Sequence, residues 1–262
     1  MLSRGLSGVH DAFTWLTVLP LPQPRGEFDR RRAATVIAAV PIVGAALGAV
    51  IAVIAFGLSY TALPTALIGV GMVAVLALAT RGMHLDGLAD TVDGLGSYGD
   101  ADRVRAIMRS GDVGPFGAAS LVLVLLGESV AFGALAADSR WYEIALAIFV
   151  SRATVPISCR SGLGAANADG FGALVAGTQR ASIVVWSALA LAAAAATGLV
   201  GTDGQTLDVA AAVQATAVVV VVLFFAWFFT RHCARRSGGL TGDVIGATIE
   251  FSVVLTAVGL LL

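Results

Sequence analysis

The chain has 262 residues, is 58% hydrophobic and only 13% charged, and has a mean hydropathy of +0.90; soluble chains carry about 25% charged residues, so a water-soluble enzyme is excluded. Seven prolines and 31 glycines without a period exclude collagen-like and disordered chains, and a net charge of -1 gives no reason to expect nucleic acid. Two cysteines, Cys159 and Cys233, are too few for a disulfide framework or a zinc site of their own. All 16 basic residues are arginine, so every positive contact to a phosphate must come from a guanidinium, which can bind bidentately.

In chain order, Leu6–Leu19 comes first. It carries Phe13, Trp15 and Leu16 but also His10 and Asp11, too short and polar to span, and reads as a helix lying in the membrane interface. No compact apolar core precedes an Ala-x-Ala-like site there, so a cleaved signal peptide is not expected. A spanning helix needs about 20 mostly apolar residues. Seven stretches qualify: Ala33–Leu58, Ala62–Thr80, Phe116–Ala137, Trp141–Ser158, Ser182–Val200, Asp208–Thr230 and Val244–Leu262. The third carries Glu128 and the fourth Arg152. With alternating loops, Arg4, Arg25, Arg30–Arg32, Arg81, Arg103, Arg105, Arg109, Arg160, Arg180, Arg231, Arg235 and Arg236 fall on one side, and only Arg140 on the other. That asymmetry marks the arginine-bearing side as cytoplasmic and supports a count of about seven. The outer loops, near Ser59–Thr61, Asp138–Glu143 and Gly201–Gln205, are short. The expected fold is therefore all-α: one integral membrane domain over residues 1–262, with an interfacial segment at 1–32 and a transmembrane bundle at 33–262, since a spanning backbone must satisfy its own hydrogen bonds.

The chemistry concentrates in residues 81–95, Arg-Gly-Met-His-Leu-Asp-Gly-Leu-Ala-Asp-Thr-Val-Asp-Gly-Leu. If the second span's helix continues through it, Asp86, Asp90 and Asp93 fall at i, i+4 and i+7 on one stripe. Three like charges there want a counter-charge, and hard oxygen donors suit magnesium better than zinc. A solvated acidic face is the bland alternative, weakened because the cluster directly follows a span in a chain that otherwise avoids charge. His84 lies about 200° around the helix from Asp86 and need not face the same site; a ligand, an acid/base and a structural role all stay open for it.

A second acidic pair stands at the far end, in residues 238–250, Gly-Gly-Leu-Thr-Gly-Asp-Val-Ile-Gly-Ala-Thr-Ile-Glu. Asp243 and Glu250 are again seven apart, with Thr241 nearby, and Glu250 lies about two turns inside the last span, where an ionisable group is costly unless paired or coordinating. Gly242 and Gly246 also fit plain close helix packing. Arg231, Arg235 and Arg236 are either topological anchors or phosphate ligands. Asp112 reads as a helix cap and Asp169 as a turn residue. Arg152, inside a span, answers Glu128 or a substrate phosphate.

These segments, in this order, resemble the cobalamin synthase (adenosylcobinamide-GDP ribazoletransferase) family: His84-Leu-Asp-Gly-Leu-Ala-Asp-Thr-Val-Asp-Gly, Ile107-Met-Arg, Ser151-Arg152, Asp169-Gly-Phe-Gly and Gly238-Gly-Leu-Thr-Gly-Asp-Val-Ile-Gly-Ala, opened by Phe13-Thr-Trp-Leu-Thr-Val-Leu-Pro-Leu-Pro. The resemblance implies a magnesium-dependent enzyme of the inner membrane that joins adenosylcobinamide-GDP to alpha-ribazole, or to its 5'-phosphate, and releases GMP. Glu128 stands where the family has a lysine, and Ser110-Gly-Asp112 where it has Asp-Ser-Arg. On this reading Asp86, Asp90 and Asp93 act at the catalytic centre with His84. Asp86, Asp90, Asp93, Asp243 and Glu250 supply metal ligands. Arg81, Arg109, Arg152, Asp169, Arg235, Arg236 and Thr241 bind substrate. Two other classes share some of these features. A cation- or proton-coupled transporter also has intramembrane acids and glycine-broken helices, but four of these five acids lie at the membrane edge. A CDP-alcohol-type phosphotransferase also clusters aspartates, yet its Asp-x-x-Asp-Gly-x-x-Ala-Arg start is matched only at Asp90, Asp93 and Gly94, with Ser97 and Tyr98 where Ala-Arg should stand.

Overall fold

The computed structural model describes residues 2–23, 26–199 and 207–262, with side chains from Ser7 onward. Arg25, the Arg4 side chain and the 201–205 loop fall outside it. The order is α1 (Leu2–Leu16), α2 (Arg30–Leu58), α3 (Thr65–Ala79), α4 (Met83–Gly96), α5 (Ala101–Met108), α6 (Pro115–Ala137), α7 (Trp141–Ala153), α8 (Val155–Ser158), α9 (Phe171–Val175), α10 (Ala181–Ala195), α11 (Val209–Ser237) and α12 (Gly242–Gly259). Among the described residues there is no strand, only isolated bridges of Arg160 with Gln179 and of Ala165 with Leu240.

Five helical segments are long and apolar enough to cross a membrane, and α3 with α4 makes a sixth only as a pair bent by 93°. The expected seven is therefore an approximate count. The segment at Trp141–Ser158 is helix, but it divides into α7, of 13 residues, and α8, of four. Pro156 cannot supply the N–H that would continue the ladder.

Glycine sets the packing, as expected where helices associate without a hydrophobic driving force between them. A Cβ on Gly44 would stand 2.6 Å from the Arg152 Cβ, and one on Gly48 2.6 Å from the Ala145 carbonyl oxygen, so α2 lies directly on α7. At Gly69 the Cβ would fall 1.9 Å from the Ser129 carbonyl oxygen, which makes α3 and α6 touch backbone to backbone. Gly69→Ala is accordingly expected to lower the thermal unfolding midpoint in detergent, by the roughly 1–3 kcal/mol of an overpacked core. Gly71→Ala, with nothing within 4 Å of the new Cβ, should leave the midpoint level or raise it; equal midpoints for the two variants would contradict this contact.

The arginines hold one end of the bundle together. Arg30 donates to the Ala173 carbonyl at 2.5 Å and to that of Ala176, Arg105 to Ser237 at 2.7 Å and Arg236 to Gly99 at 3.2 Å. Helix α1 is fixed to the same end by the Arg32 guanidinium, which reaches both Asp11 oxygens at 2.5 and 3.1 Å. Arg32's hydrogen bonding holds the Asp11 carboxyl below its ordinary range. At the α3–α4 corner, Arg81 and Gly82 take φ of 57° and 68°, and Arg81 donates to the Trp15 carbonyl at 2.5 Å.

Candidate active site

Helix α4 does not continue α3, as the sequence reading allowed; the left-handed corner turns it away. It keeps the expected spacing nonetheless, with Asp86 exposed and Asp90 and Asp93 buried. Opposite it starts α12, whose N-cap Thr241 accepts from the Val244 amide at 3.3 Å, with Asp243 in the first turn. Two glycines let these helices meet: a Cβ on Gly87 would stand 2.8 Å from the Asp243 carbonyl oxygen, and one on Gly246 3.2 Å from the His84 Cα. The charges of Asp86, Asp243 and Asp93 all act on Asp90, and that of Asp86 acts on Asp243. Among the described residues no arginine or histidine pairs with Asp86, Asp90 or Asp243.

Asp93 has a different occupation. Its carboxylate accepts from the Gly114 amide at 2.7 Å and the Gly117 amide at 2.8 Å, the opening of α6. The N-cap of α6 is Gly114, which has no side chain to do this; the acid from α4 satisfies the orphan donors. The expected cap, Asp112, is exposed instead.

Glu250 also departs from the pair it forms in sequence. Seven residues carry it about 10 Å along the axis from Asp243, to a buried cluster. His84 Nδ1 lies 3.7 Å from Glu250 Oε1 and 3.5 Å from Arg152 Nη2. Arg152 is 2% exposed and Glu128 1%, and both acids act electrostatically on the guanidinium. Arg152 thus faces Glu128 and Glu250 together, walled off from water.

A cavity of about 330 Å³ opens over the first meeting point, lined by His84, Asp86 and Asp243 on one side and by Trp15, Phe171 and Ile37 on others. Trp15 stacks on Phe28 with centroids 4.0 Å apart and stands 5.9 Å from Phe171. Nothing in the sequence marks this aromatic wall as functional, although both rings lie in the family-like segments 13–22 and 169–172. Polar groups converging on an apolar hollow are the usual form of a small-molecule site.

The cobalamin-5-phosphate synthase family model matches residues 8–261. The chain belongs to this family. A relative from Frankia casuarinae named adenosylcobinamide-GDP ribazoletransferase is 40% identical, covering 94% of this chain and 91% of its own. Relatives with the same name from Corynebacterium efficiens and Azorhizobium caulinodans are each 35% identical, covering 96% and 99% of this chain and 90% and 97% of theirs. No solved structure matches.

The other residues that the family resemblance singled out are spread along the arginine-rich end. Arg81 is exposed and tied to Trp15. Asp169 is exposed, two residues before Phe171, and Arg109 C-caps α5. Arg236 is spent on Gly99, and Arg235 lines a second cavity. Among the described residues, no three of His, Cys, Asp or Glu converge closely enough to hold a metal ion as they stand. The donor chemistry nevertheless fits a divalent cation at Asp86, Asp90 and Asp243, three hard oxygen donors without a counter-charge. Asp93, held by two amides, and Glu250, beside His84 at 3.7 Å, lie outside that set.

Proposed function

We propose that this protein is an adenosylcobinamide-GDP ribazoletransferase of the inner membrane, with its active-site loops facing the cytoplasm. It transfers the cobinamide phosphate to a ribose hydroxyl of alpha-ribazole, or of alpha-ribazole 5'-phosphate, and releases GMP. Family membership over nearly the full chain supports the activity. The carrying observation is that Asp86 and Asp243, far apart in the chain, line one cavity.

In the reaction a ribose oxygen attacks the phosphorus bonded to cobinamide; the new P–O bond forms as the bond to GMP breaks, and the hydroxyl proton leaves. Charge neutralisation of the attacking hydroxyl makes a separate general base unnecessary, and its proton passes to water, while Asp86, exposed and at the cavity wall, serves as a metal ligand. His84, fixed by Arg152 and Glu250, orients the substrate from the cavity floor, and the apolar wall excludes water that would otherwise compete as nucleophile. Magnesium, held by Asp86, Asp90 and Asp243 when bound, supplies charge neutralisation on the diphosphate. Protein reconstituted in lipid should release GMP only when adenosylcobinamide-GDP, alpha-ribazole and magnesium are all present. GMP release without alpha-ribazole would mean hydrolysis instead of transfer, and full activity in chelator would remove the metal from the scheme.

A further inference from the structure

Away from this site, a cavity of about 510 Å³ lies where the 160–164 loop meets the end of α11. Its charged lining is wholly basic: Arg160, Arg231 and Arg235. Among the described residues none of the three pairs with a carboxylate. Arg160 is buried, at 5% exposure, and is aimed by donations to the carbonyls of Ile157 and Trp227 and to the Thr230 hydroxyl. These are three of the five N–H donors a guanidinium carries. Burial, and after it the charge of Arg231, pushes Arg160 down to about 10, which an anion beside it would reverse.

A second hollow, of about 390 Å³ and almost wholly apolar, runs between α10 and α11, lined by Leu191, Val220, Leu223, Phe224 and Phe228. The two share one residue, Trp227, whose ring lies 4.1 Å from the Arg160 guanidinium carbon. Helical spacing explains the continuity: Val220, Phe224 and Phe228 at four-residue steps, then Trp227, Arg231 and Arg235 at four-residue steps, make adjacent rows on one face of α11. That face changes along its length from apolar through an interfacial tryptophan to cationic, the order in which a bilayer presents acyl chain, interface and headgroup.

We propose that the two hollows together hold one anionic phospholipid, its phosphate among Arg160, Arg231 and Arg235 and one acyl chain in the groove between α10 and α11. Charge complementarity selects the anionic headgroup, and the attached apolar groove selects a lipid over a soluble phosphate.

Native mass spectrometry of the detergent-solubilised full chain tests this, with dioleoyl phosphatidylglycerol, dioleoyl phosphatidylcholine and free glycerol 3-phosphate as probes. One phosphatidylglycerol per chain should be retained, at least tenfold in preference to phosphatidylcholine. Retention should fall at least tenfold in the R231Q/R235Q variant, whose changed side chains are both exposed, and in Leu223→Trp, which fills the groove. Should Leu223→Trp not fold, the arginine variant alone decides. Equal retention of the two lipids, or undiminished retention in R231Q/R235Q, would reduce the groove to ordinary lipid contact and overturn the proposal. So would glycerol 3-phosphate displacing phosphatidylglycerol at equal concentration, since the site would then be one for soluble phosphates.

Discussion

Asp86→Asn and Asp243→Asn are each expected to lower GMP release at saturating substrate by at least about 100-fold, the scale of losing a charged group that stabilises phosphoryl transfer. The thermal unfolding midpoint should hold or rise. The two carboxylates line one cavity and act on each other without a pairing cation among the described residues, so removing one charge relieves repulsion while side-chain size is kept. Activity and stability therefore part company, the signature of groups placed for chemistry at a cost to the fold. Turnover near wild type in both variants would detach these acids from the reaction, and a lost midpoint would make them structural.

The opposite pattern is expected at Arg152. Arg152→Met keeps much of the side chain's length but leaves Glu128 and Glu250 buried with no guanidinium to answer them. No Arg152 nitrogen comes within 4.0 Å of a carboxylate oxygen among the described residues, so the loss is that of leaving buried polar groups uncompensated, about 1–3 kcal/mol, a sizeable part of the about 5–15 kcal/mol that holds a typical domain folded. The variant should accumulate poorly in membranes and unfold at a lower temperature. Adding Glu128→Gln and Glu250→Gln should return part of the loss, because neighbours in one network do not add. If Arg152→Met melts with the wild type, or the triple variant melts lower than the single, the cluster does not hold the core.

Much of this was legible from periodicity. Long apolar runs locate the spans, and the spacing of Asp86, Asp90 and Asp93 on α4 is that of a helix. What periodicity does not carry is what each level of a stripe touches. Asp93 shares its stripe with Asp86 but meets the amides of Gly114 and Gly117; the trace of that in sequence was a helix start, Gly114-Pro115, with no capping side chain of its own. Glu250 shares a face with Asp243, yet two turns of depth bring it to His84 and Arg152. The 93° corner was equally hidden, since an Arg-Gly pair permits a left-handed turn without requiring one. Trp15 and Phe171 come together through tertiary ties invisible in the sequence, α1 being held by Arg32 on Asp11 and by Arg81 on the Trp15 carbonyl.

Helices α4 and α12 meet at Gly87 and Gly246 with no side chain of either glycine between them, so their joint has no compressible layer. It works as a fixed gauge: the separation of the Asp86 and Asp243 main chains is set by backbone contact, and only the rotamers of the two acids themselves can change the reach of their carboxylates. Selection has little room to adjust the reach of this site by small steps, because any bulk added at either glycine moves a whole helix. Diversity among related enzymes should accordingly gather in the ring-bearing wall, where one residue can be exchanged at a time, and leave the acidic joint alone.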